Sequence, residues 1–200
     1  MQNKKRGKEG FLKRNYRLSF NYIKQSRKFI YLGMLIFFAF FLLGFFLPIP
    51  AELEKELMKI IEQLVKQTEG LNIFELILFI FFNNIQSSFF SIILGFFLGL
   101  FPVFVSVVNG YLLGFVAEKS VGSEGILVLW KLLPHGIFEL PAIFISFGIG
   151  IKFGTFLFQK KKSLAFKEYL FNSVRVFLFV IVPLLILAAI IEGILILGFG

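Results

Sequence analysis

Residues 71–117 contain no lysine or arginine, and their one charged residue is Glu75. No other feature constrains the fold as strongly. Forty-seven such residues are too many for one bilayer crossing, which takes about 20 apolar residues as a helix. They suit two crossings joined by a tight turn, expected near GFFLGLFP, Gly95 to Pro102. Composition agrees, since 58% of the chain is hydrophobic and 31 of its 200 residues are Phe. A soluble domain of this size cannot bury so much apolar surface, so the bilayer is the solvent for most of it. Every acidic residue is Glu, which leaves little room for soluble loops, where Asp is common. Cysteine is absent, which excludes disulfides, thiolate metal sites and cysteine nucleophiles.

The same reasoning gives an all-α, polytopic membrane protein with about five transmembrane helices plus surface-lying amphipathic helices. The spans are expected at about 29–47, 73–97, 102–117, 132–158 and 176–197. The first run, at about 1.5 Å per residue, is long enough to cross. It is too long for the apolar region of a signal peptide and lacks a small-residue cleavage site, so no cleavable signal is expected. Residues 1–28 form a basic segment. Lys4 to Lys28 includes ten Lys or Arg and one Glu, and Leu12, Tyr16, Phe20 and Ile23 fall at helical spacing among Lys13, Arg14, Arg17 and Lys24. This predicts an interfacial helix that anchors topology, with anionic-lipid or nucleic-acid contact as the functional alternative. Residues 29–200 form one helical membrane domain. Within it, residues 51–69 predict an outer amphipathic helix. Pro50 stands near its start, Glu52, Glu54 and Glu56 lie at the positive end of its dipole, and Gly70 ends it. Its apolar stripe is Leu53, Leu57, Ile60, Ile61 and Leu64. Residues 118–130 are expected as a polar outer loop with Trp130 as an interfacial anchor. Lys152 is expected to snorkel from the inner end of the fourth span. Leu164, Phe171 and Val174 suggest a second surface helix in a basic segment. The net charge of +9 acts mainly as a topology signal. It places the N-terminus in the cytoplasm and, after five crossings, the C-terminus outside. No internal repeat stands out, which argues against an inverted-repeat transporter.

Polar groups in hydrocarbon cost free energy and face a bundle interior, a cavity or a partner. The candidates are Asn83, Asn84, Asn109, His135 and Glu139, with Glu75, Glu192 and Arg175 as secondary ones. Asn83 and Asn84 point about 100° apart on a helix, so they cannot face one neighbour in the same way. His135 and Glu139 are one turn apart on one face. Pro134 suits a first helical turn, Gly136 admits another backbone, and Pro141 frees the Ile137 carbonyl. Two readings of this element stay open: a structural polar lock, and a ligand or proton site. With one histidine the zinc-protease helix pattern fails. A serine hydrolase also lacks its GxSxG turn. No cofactor or metal is expected.

Taken in order, YIKQSRKFIYLG, IFFNNIQSSFFSIILGFFLGLFP, VNGYLLG and LLPHGIFELPAIFISFGIG resemble the stage II sporulation protein M family of integral membrane proteins. The PHGxxExP element is the most specific part. The resemblance implies five spans and a cytoplasmic N-terminus. In endospore formers the family's namesake works in a membrane-anchored complex with two cell-wall-degrading enzymes, as a scaffold. The function expected here is a non-enzymatic scaffold that organises membrane or envelope partners. The alternatives are a transporter or ion/proton-conducting protein using His135 and Glu139, and, ranked lower, an intramembrane metalloenzyme. The expected partners are the lipid bilayer and either other proteins or further copies of this chain, with no nucleic acid.

Overall fold

The computed structural model describes residues 10–199, and among them the chain forms helices and their connections, with no strand. Among the described residues, five stretches are long and apolar enough to cross a membrane: Phe11–Phe46, Ile73–Phe96, Leu100–Ser123, Glu139–Phe158 and Lys162–Leu195.

The first helix, α1 (Phe11–Phe46), is unbroken over 36 residues. That is about 54 Å at 1.5 Å per residue, well beyond a hydrocarbon core of about 30 Å. The expected surface helix over 11–28 is therefore not a separate element. No Gly or Pro interrupts residues 11–32, so nothing ends the helix before it enters the apolar run. The face it packs on the bundle is a different one from the apolar stripe expected to meet the membrane. Leu12, Tyr16 and Phe20 are exposed, whereas Ser19, Tyr22, Ser26, Ile30, Gly33, Phe37 and Gly44 are buried. In lipid, helices gain by approaching closely through small residues, and apolar side chains lose nothing by facing acyl chains.

After Pro48-Ile49-Pro50 comes α2 (Ala51–Thr68), with Glu52 and Glu54 in its first turn. Gly70, at φ +79, turns the chain after it. The next helix, α3 (Ile73–Ile93), starts on a capping box: Asn72 accepts from Phe74 and Glu75, and Glu75 Oε2 accepts from the Asn72 N–H. The expected turn follows, with a 3-10 segment Leu94–Phe96 and then Leu98 at φ 55 and Gly99 at φ 71. Helix α4 (Leu100–Glu124) runs past the expected end at 117 and takes in residues expected as loop. Lys119 pairs there with Glu54 of α2 at 2.6 Å and with Glu118 at 3.3 Å. No proline stands between Pro102 and Pro134, and the helix ends only at Gly125, at φ +83.

A 3-10 turn, Ile126–Val128, leads into α5 (Leu129–Gly154). A second 3-10 turn, Thr155–Phe158, leads out. Because α5 begins at Leu129, Pro134 is its sixth residue and lies outside the first turn where it was expected. The helix continues through both Pro134 and Pro141. Helix α6 (Lys162–Val176) passes through a π-helical segment, Phe177–Ile181, into α7 (Val182–Phe199). Pro183, the second residue of α7, has no N–H for the Phe179 carbonyl, a local break that a π segment absorbs.

The bundle is organised around α5, which packs on α1, α3, α4, α6 and α7. Two thirds of its span (67%) is buried, against 33% or less in the other four. Glycines set the closest approaches. A Cβ on Gly110 or Gly114 of α4 would run into the carbonyls of Phe37 and Phe41 on α1, and one on Gly150 or Gly154 would strike Ser91 or the turn at Leu98-Gly99. Both Gly-x-x-x-Gly pairs, Gly95/Gly99 and Gly110/Gly114, thus serve contacts within the chain.

Candidate functional site

Two ionisable residues of the central helix α5 are almost completely removed from solvent. Glu139 is 6% exposed and Lys152 is 7% exposed. They stand thirteen positions apart on one helix, about 20 Å along its axis. Charged groups buried in a membrane bundle are costly and mark function or a fixed contact.

The surroundings of Lys152 are well defined. Its Nζ donates to Ser26 Oγ at 3.2 Å. It stands 3.8 Å from the centroid of the Tyr22 ring and 5.5 Å from that of Tyr169. Ser26 Oγ in turn donates to the Tyr22 carbonyl at 2.7 Å. One ammonium therefore ties three helices, α1, α5 and α6, with two aromatic faces adding to the negative potential of the Glu168 carboxylate. This corrects the expected snorkelling. Lys152 lies between Ile151 and Phe153, both buried, so its stem leaves the helix toward α1 and α6. The apolar cluster beside it comprises Ile92, Ile149, Val176, Ile181 and Leu185 with Tyr22. Ser173 is fully buried next to Tyr22.

The sequence reading missed this clamp, although a signal was present. Tyr22-Ile-Lys-Gln-Ser26 and Tyr169-Leu-Phe-Asn-Ser173 share a Tyr-x-x-x-Ser spacing. One turn of helix puts each Tyr and Ser on one face, and both of those faces turn toward Lys152. Further out, Arg175 Nε donates to Asn15 Oδ1 at 3.1 Å and its Nη1 to Asn172 Oδ1 at 2.6 Å. Phe179 of the π segment packs edge-on against Phe11 and Tyr16. The secondary candidate Arg175 thus belongs to the same α1–α6 seam.

The other candidates are spread through the bundle. Asn84 is buried on α3, while Asn83 is exposed and reaches Asn84 Oδ1 only at 3.5 Å. Asn109 is half-buried and donates to the Val105 carbonyl of its own helix at 2.8 Å. Glu75 is exposed and closes the α3 cap. Glu192 is half-buried on α7, beside Gly193, which meets Ile77 of α3. Pro141 is exposed on α5. The side chains of Pro134 and His135, and the surroundings of Gly136, lie outside the described residues, so the expected convergence of His135 with the Asn-bearing helices does too. Among the described residues no group of three His, Cys, Asp or Glu stands close enough to hold a metal. A cross-helix bond not expected from sequence joins Ser106 Oγ to the Gly33 carbonyl at 3.0 Å.

The fold and this arrangement define a helical, multi-span membrane protein built around one central span that carries buried ionisable groups. The chain belongs to the stage II sporulation protein M family, whose family model matches residues 33–195. The match takes in α5 with its Pro-His-Gly element and begins after Tyr22 and Ser26. The chain is similar to an uncharacterized protein of Methanocaldococcus jannaschii, 34% identical over 131 residues, which is 59% of this chain and 54% of the relative. It thus spans about half the length of that relative. No solved structure matches it.

Proposed function

We propose that this chain is a non-enzymatic membrane scaffold that organises membrane or envelope partners, with its N-terminus in the cytoplasm and its C-terminus outside. The observation that carries the reading is α2. It connects two spans through short linkers, is tied to the bundle through Glu54 and Lys119, and exposes Leu53, Ile60 and Val65. Five Glu and three Lys lie along residues 51–69, an acidic balance that does not favour an anionic lipid surface and suits a protein partner. The opposite end of the bundle bears the basic stretches 11–28 and 160–162, which supports the orientation. Crosslinking in native membranes, then purification in mild detergent, tests the proposal. Partner proteins should be recovered with the wild-type chain and lost with L53E/I60E while the five-span fold is retained. Recovery of the chain with lipid alone in every mild detergent tried would end this reading.

A second reading, conduction of protons or ions, draws on the two buried ionisable groups in α5, Glu139 and Lys152, with His135 one turn from Glu139. Reconstituted liposomes should then show a proton or ion flux that Glu139→Gln abolishes. A flux no greater than that of empty liposomes would remove it.

A further inference from the structure

Residues 21–28 of α1 have two faces with different partners. Tyr22 and Ser26 turn inward and are fastened to Lys152. The outward residues Asn21, Lys24, Gln25, Arg27 and Lys28 line an open cleft of about 430 Å³. The lining supplies three cations and two amides and no acidic group. Residues 11–46 contain no Asp or Glu at all. Among the described residues, the side chains of Lys24, Arg27 and Lys28 take part in no ion pair or hydrogen bond. Three neighbouring cations on one rigid surface repel each other, and an anion between them removes that repulsion.

The depth of the cleft identifies the anion. The apolar run begins at Phe29. At about 1.5 Å per residue, Lys28 lies roughly 1.5 Å and Lys24 roughly 7.5 Å along the helix from it. The interfacial zone on each side of the hydrocarbon is about 5–8 Å deep. The three cations are therefore spread across the layer where lipid phosphates lie. Exposed Phe20 and Tyr31 flank the cleft along the helix, where acyl chains and glycerol would pass. The Lys152 clamp holds this turn of α1 in place, so little backbone ordering remains to oppose binding.

We propose that the cleft formed by Asn21, Lys24, Gln25, Arg27 and Lys28 binds the phosphate of an anionic phospholipid headgroup at a defined site. It lies before residue 33, outside the matched family region, and is independent of the scaffold reading. The chemistry it recognises is a phosphate group, which a free phosphate ion also presents.

The test is native mass spectrometry of the full chain in detergent, titrated with phosphatidylglycerol or phosphatidylcholine. The wild type should retain one phosphatidylglycerol in preference to phosphatidylcholine. K24Q/R27Q/K28Q should bind it roughly 100-fold more weakly, at about fivefold per charge. Lys28→Gln alone should weaken it about fivefold and serves if the triple variant does not fold. K160Q/K161Q/K162Q should bind like wild type. Equal retention of the two lipids, or wild-type retention by a folded K24Q/R27Q/K28Q variant, overturns the proposal. Displacement of phosphatidylglycerol by an equal concentration of inorganic phosphate reassigns the cleft to the free ion and overturns the lipid assignment.

Discussion

Lys152 shows why a charge can sit inside this protein. An ammonium removed from water loses several kcal/mol of solvation, and the Tyr22 ring and Ser26 Oγ return part of that. The loss is therefore greatest when the partners go and the charge stays. Tyr22→Phe, which keeps the ring, should leave thermal stability in detergent nearly unchanged. Tyr22→Leu should cost about 2 kcal/mol. In a Lys152→Met background, where no charge needs the ring, the same Tyr22→Leu change should cost clearly less. Thermal melts of the four proteins form a double-mutant cycle, and strict additivity would show that the cation and the ring act independently. The individual roles of Lys152, Tyr22 and Ser26 were hidden in the sequence because a lysine near a span end ordinarily snorkels. Only the positions of α1 and α6 turn it inward. Asn83 and Asn84 were more legible, because the 100° step between neighbours on a helix keeps them from facing one neighbour in the same way.

Among the helices, α1 and α4 pack closely because Gly110 and Gly114 carry no Cβ. A methyl on Gly110 would meet the Phe37 carbonyl, so Gly110→Ala should destabilise the bundle by about 1–3 kcal/mol. Gly122, on the same helix, has nothing near its absent Cβ. Gly122→Ala should be neutral or stabilise by up to about 1 kcal/mol through helix propensity. Comparing their melting temperatures in one detergent separates packing from propensity, and equal effects would count against a packing role for Gly110. The Gly-x-x-x-Gly spacing was visible beforehand, but a spacing does not name its partner helix. Helix ends were readable where residue chemistry sets them, as at Gly70 and in the Gly95–Pro102 turn. They were misplaced where polarity served as a proxy for loop. Glu118 and Lys119 interrupt the apolar run without interrupting the helix, and they carry α4 to Gly125.

The molecule as a whole has a basic end and an acidic α2 end joined by five crossings. The absence of cysteine makes its orientation simple to test, because any introduced thiol is unique. A cysteine at Lys13 should react with an impermeant maleimide only after cells are opened, and one at Glu62 should react in intact cells. The reverse pattern would invert the proposed orientation. The clamp at Lys152 and the cleft on α1 both lie at the basic end, whereas α2 lies at the other, so lipid binding and partner capture should be separable by mutation. L53E/I60E should leave phosphatidylglycerol retention unchanged.

By itself, the sequence determined that this chain is a multi-span membrane protein, that about five of its helices are apolar enough to cross, and to which family it belongs. Those properties follow from summed apolar length, from charge excluded from hydrocarbon, and from motifs read along one chain. The tertiary structure decided which face of each helix is interior. In water the apolar face turns in, so periodicity reveals it. In lipid that driving force is absent, and small and hydroxyl residues such as Ser19, Ser26, Gly33 and Gly110 take the interior while Leu12 and Phe20 face outward. For the same reason only the packed bundle could place Lys152 between two tyrosines and leave Lys24, Arg27 and Lys28 on the open side of the same turn.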